Sequence, residues 1–559
     1  MRKRSTELEV GPGLDMPHRA NILVTEVFDT ELIGEGAIST YNHAARELLT
    51  SDRLVVPGVA RVWAQVVTSD KCREWSRPVP LHLGQGQHLH PPPSVGGGHS
   101  SLALHDLQLS QFSPDLWSPV TRPEIVFTMD LACRSGDIPC SERVVRRLVS
   151  ERSGECDAVL MWWDCWTDPD NTILLSCAPS WASPHPLESL PWRDHWMQAV
   201  YYPRTRTELR AGDTLELVAS HDEYSLWFDV VTGPTDPSLP VQLPSPEPGL
   251  HLAMSRTRLG QVNSRTRNNT MVAALRKMIR PDRAEDKILV ISEQSILSLL
   301  AARLGASNVI HCCENNRDMR DYLMACAKHN SIDDRITLRD TDWLAASSLS
   351  GVTSVIAEPH FTVSALPWHN LLFWFVVSSL DLPPTTSISP SSARMFCLPV
   401  HYRDLWKIRA PLGEVEGFKM GHFDKIIESA SNLSDNNVEP QPLWEYPSTA
   451  LGPVKQLLEL DLTKRVPSEA ITFTGSLEVT ESSKPLNGLA LWMDWTLDEE
   501  NVLSGGPVQA VQVGQEVHWD MDSKQGVHFL QPTSDCSKIK FNIKFLPSEG
   551  DFVFRFETD

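Results

Sequence analysis

The pattern of apolar and polar positions predicts an α/β part followed by a strand-rich part, and it does so twice. In the second half, an apolar run at 287–291 precedes a helical pattern from Ile296 to Leu304, which stops at Gly305. A second apolar run follows at 308–312. A strand, a helix and a parallel strand joined by a right-handed crossover predict the start of a doubly wound sheet. Beyond each α/β part, alternating runs rich in Val and Trp are typical of antiparallel strands.

The two halves repeat each other at a nearly constant offset. The residues around Trp162 recur 330 positions later, since 492 − 162 = 330. Glu26 matches Glu358 at an offset of 332 (358 − 26), and the run from His195 matches 528–531 at 333 (528 − 195). The matching pairs around Trp162 are Trp162 and Trp492, Asp164 and Asp494, Asp168 and Asp498, and Asn171 and Asn501. Three matches in one order at nearly one offset predict a tandem duplication.

The predicted fold class is therefore α/β plus β, in tandem modules. Each module is a doubly wound, Rossmann-like layer followed by a β-barrel. Only twenty-five residues precede Glu26, so we expect the first α/β layer to be incomplete. A loose segment at 84–101, rich in Pro and Gly, predicts a surface loop within the first half. The predicted boundaries are 1–50 for the remnant of the first α/β layer, 51–231 for the first barrel, 232–254 for a Pro-rich linker, 255–400 for the second, degenerate α/β layer and 401–559 for the second barrel.

Composition and charge narrow the class of protein. The chain has 559 residues, of which 41% are hydrophobic and 22% are charged, as in a soluble globular protein. Fifty Lys+Arg against seventy-one Asp+Glu give a formal charge of −21, which argues against direct nucleic-acid binding and favours cationic partners. Eleven cysteines without a CxxC pair indicate a reduced intracellular protein. We expect no membrane segment, and a cytoplasmic and nuclear location.

One acidic loop carries the clearest candidate chemistry. Segment 25–36 follows an apolar strand and holds four carboxylates, among them Glu26 and Glu35. Ligand sites of open α/β sheets lie at the carboxyl ends of strands, where this loop is expected. Two carboxylates on one loop suit a guanidinium, which presents five N–H donors in a rigid plane. The alternative is a solvated acidic loop. The second copy favours a site, because 359–380 contains no carboxylate although Glu358 is kept.

These residues resemble those of a known family. The segment RANILVTEVFDTELIGEGA, with Glu26 and Glu35, resembles the double-glutamate loop of the protein arginine methyltransferases. The run Asp194-His195-Trp196 is similar to the family's Thr-His-Trp loop, with Asp in place of Thr. The segments WRDHWMQ and EPHFTVSALPWHNLLFWF add to the resemblance, which covers nearly the whole chain.

The resemblance implies transfer of a methyl group from S-adenosylmethionine to a terminal nitrogen of peptidyl arginine. Glu26 and Glu35 would bind the guanidinium as the catalytic pair, and Asp29 would hold a flanking basic side chain of the substrate. His195 would support the substrate loop, and Trp196 would limit how many methyl groups fit. The implied substrates are Arg-rich proteins, such as histones and RNA-binding proteins with Arg-x-Arg or Arg-Gly segments. The main implied product is monomethylarginine, with symmetric dimethylarginine as the alternative.

The cofactor region and a metal site depart from the family pattern. The family's Gly-rich cofactor turn would lie upstream of Met1 in the first half, and its counterpart at 291–295 has no glycine. Glu314 lies at the end of the next strand, where an acidic residue could bind a ribose. An ordinary strand-end carboxylate without a ligand is an equally good interpretation. Related proteins hold zinc between the modules, whereas 243–251 keeps His251 without a cysteine, so we predict no metal there. The loop histidines, for which solvation is the expected role, are His82, His88, His90 and His99.

Three functions are therefore compared. The first is an arginine methyltransferase, and a chain lacking the first-half cofactor region would be inactive as given. The second is a non-catalytic acidic scaffold that binds Arg-rich peptides. The third, a glycosidase with paired carboxylates, has only the acid pair in its favour. Because tandem modules supply both halves of the family's typical dimer, we predict a pseudo-dimeric monomer.

Overall fold

The computed structural model of the chain divides into two compact units. Unit 1 comprises Met1–Ser76 and Gly97–Pro248, and unit 2 comprises Arg77–Gly96 and Gly249–Asp559. The structure describes all residues except 1–2, 94, 96–103, 185–195, 205, 237, 242–249, 280–285, 313, 409–410, 416 and 434–436, and except the side chains of 251 and 432. In this described part, no helix has the length and apolar character needed to cross a membrane.

The elements before residue 248 are mainly strands. The strands are β1 (Ala20–Val24), β2 (Leu49–Val56), β3 (Val59–Thr68), β4 (Leu81–Gly84), β5 (Gln87–Leu89), β6 (Asp106–Leu107), β7 (Ser118–Pro119), β8 (Glu124–Asp130), β9 (Glu142–Val149), β10 (Gly154–Glu155), β11 (Ala158–Trp166), β12 (Leu174–Ser176), β13 (Gln198–Tyr201), β14 (Glu208–Leu209), β15 (Thr214–His221) and β16 (Leu226–Val231). The helices are α1 (Ala37–His43) and α2 (Asp70–Ser76). Of these elements, β4 and β5 belong to unit 2.

The acidic loop of unit 1 lies within a small α/β layer. Strands β1 and β2 pair in parallel, with Ile22 opposite Leu54 and Val24 opposite Val56. Helix α1 connects them and buries Ala37, Ile38 and Tyr41. The loop leaves the carboxyl end of β1 and enters α1, which is the position expected for a ligand loop in a parallel sheet.

The remaining strands of unit 1 form open antiparallel sheets, not the predicted closed barrel. The larger sheet has the order β6-β13-β11-β3-β7, with β8 also on β3 and β12 also on β11, and the smaller has the order β16-β15-β9. Among the described strands, no backbone ladder joins β8 to β9. Instead, the Arg146 guanidinium on β9 donates to the carbonyls of Ile125 and Val126 on β8, at 3.1 Å each. A side chain thus takes acceptors that a closing ladder would use.

Unit 2 contains most of the helices. The helices are α3 (Leu250–Ala253), α4 (Arg256–Asn263), α5 (Arg265–Met278), α6 (Leu297–Arg303), α7 (Arg317–His329), α8 (Thr341–Ala346), α9 (Leu372–Ser378) and α10 (Gly421–Asn432). The strands are β17 (Lys287–Ile291), β18 (Asn308–Cys312), β19 (Ile336–Leu338), β20 (Val352–Ile356), β21 (Ser387–Ser389), β22 (Ser392–Tyr402), β23 (Glu414–Val415), β24 (Phe418–Lys419), β25 (Glu439–Gln441), β26 (Ser448–Ala450), β27 (Lys455–Asp461), β28 (Ile471–Glu478), β29 (Leu486–Thr496), β30 (Val502–Ser504), β31 (Gln525–Thr533), β32 (Lys538–Leu546) and β33 (Asp551–Thr558).

The predicted doubly wound layer in unit 2 is confirmed. Its five strands are all parallel in the order β19-β18-β17-β20-β21. Strands β17 and β18 coincide with the apolar runs at 287–291 and 308–312, because strands buried on both faces need continuous apolar sequence. Gly305, with a φ of 114°, follows α6 and permits the turn that an L side chain would strain.

The antiparallel sheets of the two units have the same strand order. In unit 2 the larger sheet runs β25-β31-β29-β22-β26, with β27 on β22 and β30 on β29, and the smaller joins β28, β32 and β33. The repeated residues occupy the same register: Asp164 faces Arg61 across β11 and β3, and Asp494 faces Arg394 across β29 and β22. The larger sheet of unit 2 is open as well in the described residues, so the second predicted barrel is corrected in the same way.

Two boundary regions differ from the sequence prediction. The last part of the predicted linker, Leu250–Ala253, forms α3, whose Leu250 is buried in the unit 2 core. Segment 84–101, predicted as a surface loop of the first half, begins within the β4–β5 hairpin, which belongs to unit 2. The reason is the apolar face of the hairpin, because Leu81, Leu83 and Leu89 all join the unit 2 core.

Candidate functional site

Glu26 and Glu35 lie on the loop between β1 and α1, and both are exposed. The Glu26 carboxylate accepts one hydrogen bond, from the Phe28 amide at 3.0 Å. The Glu35 carboxylate makes no hydrogen bond or ion pair with any residue that the structure describes. Most of the hydrogen-bonding capacity of the pair is therefore open to a cationic ligand.

Asp29 shapes the turn that separates the two glutamates. Its Oδ1 accepts the amides of Glu31 at 3.1 Å and Gly34 at 2.9 Å. A Cβ atom at Gly34 would overlap the Asp29 carboxylate, so a larger residue there would displace the carboxylate from the turn. Burial raises the pKa of Asp29, although the two amide hydrogen bonds oppose that shift. These contacts make Asp29 a loop-forming residue, and its predicted contact with substrate stays a prediction.

The indole groups of two tryptophans bind the backbone of the loop. The Trp163 indole donates to the Asp29 carbonyl and the Trp196 indole to the Phe28 carbonyl, each at 3.0 Å. Their rings meet edge to face, with centroids 5.1 Å apart. Trp196, predicted to limit the methyl groups that fit, thus supports the backbone of the predicted site. His195, its predicted partner, lies outside the described residues.

A third carboxylate of the loop, Glu31, is turned inward. Its Oε1 accepts the Tyr201 hydroxyl at 2.5 Å and the Leu226 amide at 3.0 Å. Burial raises the pKa of Glu31 to about 7, with the nearby Asp29 and Asp222 adding to the shift. Sequence reasoning did not single out this residue. The sequence did contain a signal, since Glu31 is followed directly by the apolar residues Leu32 and Ile33. The structure buries both of them fully.

Tyr41 of α1 offers a stability test of the same region. Its ring stacks on Phe28 with centroids 6.2 Å apart, while its buried hydroxyl has no hydrogen-bond partner within the described structure. A buried hydroxyl without a partner costs about 1–3 kcal/mol. We expect Tyr41→Phe to raise the free energy of unfolding by about 1 kcal/mol in urea titrations. A lower value for Tyr41→Phe would mean that the hydroxyl is bonded in solution.

Glu358, the repeat counterpart of Glu26, is buried and bound by arginines of its own unit. Arg258 reaches its two oxygens at 2.8 and 2.7 Å, and Arg267 donates from Nε at 2.8 Å. The Ser295 hydroxyl adds a bond at 2.7 Å. Burial alone would raise the pKa of Glu358, but the charges of Arg258 and Arg267 hold it well below its usual value. This carboxylate is therefore closed to an external guanidinium.

The cofactor turn of the second α/β layer does not fit S-adenosylmethionine. The Gln294 amide in this turn donates to Glu314 at 2.5 Å, and the Gln294 carbonyl accepts Arg258 Nε at 3.0 Å. Glu314 also accepts the Asn316 amide at 3.1 Å and is buried, so its carboxylate is not presented to a ribose. The strand-end reading of Glu314 is thus the one its contacts favour. Within the described residues, no group of three or more His, Cys, Asp or Glu side chains is placed to hold a metal ion.

The chain is similar in sequence to one protein family and to proteins of flies. The family model described as the arginine methyltransferase oligomerization subdomain matches residues 61–232 and 391–557. Protein arginine N-methyltransferase 7 of Drosophila yakuba is 39% identical over 578 residues, covering 100% of this chain and 82% of the relative. The same protein of Drosophila persimilis is 39% identical over 582 residues, covering 100% and 83%.

Solved structures give weaker similarity. The Trypanosoma brucei PRMT1 enzyme-prozyme heterotetrameric complex with AdoHcy has a TM-score of 0.37 and 19% identity, covering 52% of this chain and 89% of that chain. The crystal structure of PRMT6 has a TM-score of 0.36 and 16% identity, covering 53% and 96%.

Proposed function

Because the chain belongs to the protein arginine methyltransferase family, we propose that it transfers a methyl group from S-adenosylmethionine to a guanidino nitrogen of peptidyl arginine. The observation that carries the proposal for this chain is the exposed pair Glu26 and Glu35 on a loop fixed to the sheet of unit 1. The donor supplies the methyl group when bound.

The glutamates bind and orient the arginine side chain. A guanidinium has five N–H donors in one plane, and a carboxylate accepts two of them side by side. Two carboxylates on one loop therefore fix the plane and concentrate the positive charge near their oxygens. Since Trp163 and Trp196 hold the backbone between them, the pair is set before the substrate arrives. Fixed charges of this kind supply orientation and electrostatic stabilisation.

Basic proteins are the proposed substrates. An overall charge of −21 favours association with Arg-rich segments of histones and of RNA-binding proteins. Asp29, His195 and Trp196 remain the proposed substrate-binding residues, and monomethylarginine the main product, with symmetric dimethylarginine as the alternative. The proposed location is cytoplasmic and nuclear, where such proteins occur.

A second candidate function is favoured by the cofactor turn of unit 2. Because the backbone groups of Gln294 in that turn are bonded to Glu314 and Arg258, the second α/β layer does not bind the methyl donor. A chain that binds Arg-rich peptides without modifying them, as an acidic scaffold, would need only Glu26 and Glu35. The two functions share the arginine site and differ in methyl transfer.

One assay separates the two functions. Labelled S-adenosylmethionine and an Arg-rich histone-tail peptide are incubated with the chain and its Glu35→Gln variant. Glu47→Gln is the matched control, since Glu47 is also an exposed carboxylate of unit 1. The methyltransferase predicts label that falls about 100-fold in Glu35→Gln and is unchanged in Glu47→Gln. Salt-sensitive binding without label, lost in Glu35→Gln, supports the scaffold. No peptide binding contradicts both.

The common strand order of the two units supports a tandem duplication, and with it a protein that is a monomer. Dimers of the family would be replaced by two modules in one polypeptide, which is the pseudo-dimeric monomer proposed from the sequence. Light scattering coupled to size-exclusion chromatography is expected to give the mass of one chain at micromolar concentration. A stable mass of two chains would contradict it.

A further inference from the structure

We infer that unit 2 contains a binding site for a small anionic ligand, one that carries a phosphate or carboxylate group. The site is a cavity of about 590 Å³ lined by α4, by the loop after β20, and by residues at and beyond β29 and β30. A volume of this size is in the range of small-molecule sites. The inference is independent of the arginine site of unit 1.

The charged lining of the cavity is mainly basic. Among the described residues its charged side chains are Arg258, Arg267 and Lys524, with Asp522 as the carboxylate. Three further carboxylates bind the lining from behind: Glu358 binds Arg258 and Arg267, Glu293 binds Thr362, and Asp520 binds Ser523. An anion would therefore be held by the individual donors of Arg267 and Lys524 and not by a net positive charge.

Two of these cations keep free donors. Arg267 uses only its Nε, which binds Glu358 at 2.8 Å, so its two terminal nitrogens have no partner among the described residues. The ammonium group of Lys524 likewise makes no hydrogen bond or ion pair there. The guanidinium of Arg258, by contrast, makes four hydrogen bonds, to Gln294, Gln261 and both oxygens of Glu358. A planar pair of guanidinium donors suits two oxygens of a phosphate or carboxylate.

The uncharged lining is consistent with the same ligand class. Ser364 lines the cavity, and its buried hydroxyl has no hydrogen-bond partner within the described residues. Buried polar atoms are nearly always satisfied, so this hydroxyl is a further candidate donor to a ligand in the cavity. Met493, Trp495 and Leu503 form an apolar wall. The cavity thus offers polar groups to an anion and an apolar surface to the rest of the molecule.

The repeat counterparts Glu26 and Glu358 differ in what they are free to bind. Glu26 in unit 1 is exposed with oxygens available, whereas its counterpart Glu358 is neutralised by Arg258 and Arg267. Neutralising the carboxylate removes the attraction for a guanidinium and leaves the two terminal nitrogens of Arg267 as free donors among the described residues. The position that would bind a cation has become one that binds an anion.

Calorimetric titration and thermal unfolding of the full chain at low salt test the inference. The probes are inorganic pyrophosphate and citrate, which distinguish phosphate from carboxylate, with agmatine, a guanidinium amine that has no carboxylate, as the cationic control. At least one anion is expected to bind and to raise the unfolding temperature, and agmatine is expected not to compete with that anion. Absence of binding by both anions would overturn the inference.

Three variants locate the binding. Arg267→Lys keeps a charge for Glu358 and loses the planar donors, and Lys524→Met removes the second cation; each is expected to weaken anion binding about tenfold. Lys540→Met, which removes an exposed lysine of β32, is the matched control and is expected to change nothing. Equal weakening by all three variants would mean non-specific attraction to the surface. Unchanged binding in Arg267→Lys and Lys524→Met would place the anion elsewhere. Either result contradicts the site.

Discussion

Glu358→Gln is expected to lower the free energy of unfolding by about 3–5 kcal/mol. Glutamine keeps the shape of the side chain but removes its charge. Arg258, with a side chain only 1% exposed, would then be a buried guanidinium without a counter-charge. Breaking a buried ion pair by removing one partner is costly because the remaining ion stays desolvated. Urea unfolding at pH 7, followed by circular dichroism, measures the loss.

The control for this prediction is Glu35→Gln, the same chemical change at an exposed carboxylate. It is expected to change the free energy of unfolding by less than about 0.5 kcal/mol. The double variant Glu358→Gln with Arg258→Met removes both ions and is expected to recover part of the loss. Equal stability of Glu358→Gln and Glu35→Gln would show that the arginines do not depend on Glu358.

The pair also has a pH dependence of known sign. Because the pKa of Glu358 is held below its ordinary value in the folded chain, its contribution is complete above that ordinary value. The contribution is lost as the pH falls toward the folded pKa. Glu358 is therefore a source of acid lability in unit 2, and Glu358→Gln removes that part of the acid transition.

The sequence predicted the elements that depend on local pattern. Strands β17 and β18 follow from continuous apolar runs, and the loop with Glu26 and Glu35 follows from its place after β1. The repeat was visible as matching residues at a nearly constant offset. In the structure, Trp162 and Trp492 lie in equivalent strands. Each of these features is set by residues within a few positions or by a fixed offset.

Contacts between distant residues were not predictable in the same way. Arg258 and Arg267 lie 100 and 91 residues before Glu358, and nothing in their local sequence distinguishes them from solvated arginines. In unit 1, the Arg146 side chain on β9, and not a backbone ladder, bonds the carbonyls of β8. The inward turn of Glu31 depends on Tyr201, 170 residues away. In the sequence, Glu31 has the same charge as the exposed glutamates of the loop. Only its packing in the structure distinguishes it from them.

The inward carboxylate makes the second large effect a pH-dependent one. We expect Glu31→Gln to be more stable than the parent chain at pH 8, by about 1–3 kcal/mol, and no more stable at pH 5. The folded-state pKa of Glu31 is about 7, above its ordinary value of 4.5. A group with a raised pKa contributes stability that is complete below its unfolded value and is lost as the pH rises through the folded value. A shift of this size corresponds to about 3 kcal/mol at most.

Glutamine preserves the contacts while removing the titration. Its amide oxygen accepts the Tyr201 hydroxyl and the Leu226 amide, the two donors that Glu31 now satisfies. The groups that face Glu31 are Tyr201, Asp29 and Asp222, and both carboxylates oppose its ionisation. Urea unfolding of both proteins at pH 5, 6, 7 and 8 gives the difference in free energy, from which the titration of all other groups largely cancels.

The shape of that difference decides the role of Glu31. A difference that rises between pH 5 and 8 means that the loop with Glu26 and Glu35 is anchored by a carboxyl group that ionises near neutrality. A difference that is constant with pH would contradict the raised pKa. Glu31→Leu is the matched control, since it removes both charge and acceptor. It leaves the Tyr201 hydroxyl and the Leu226 amide unpaired and is expected to destabilise the chain by about 1–3 kcal/mol at every pH. The two roles of the Glu31 carboxyl group would then be separated: an acceptor that is needed at every pH, and a charge whose cost to folding grows as the pH rises from the ordinary value of 4.5 to the folded value of about 7.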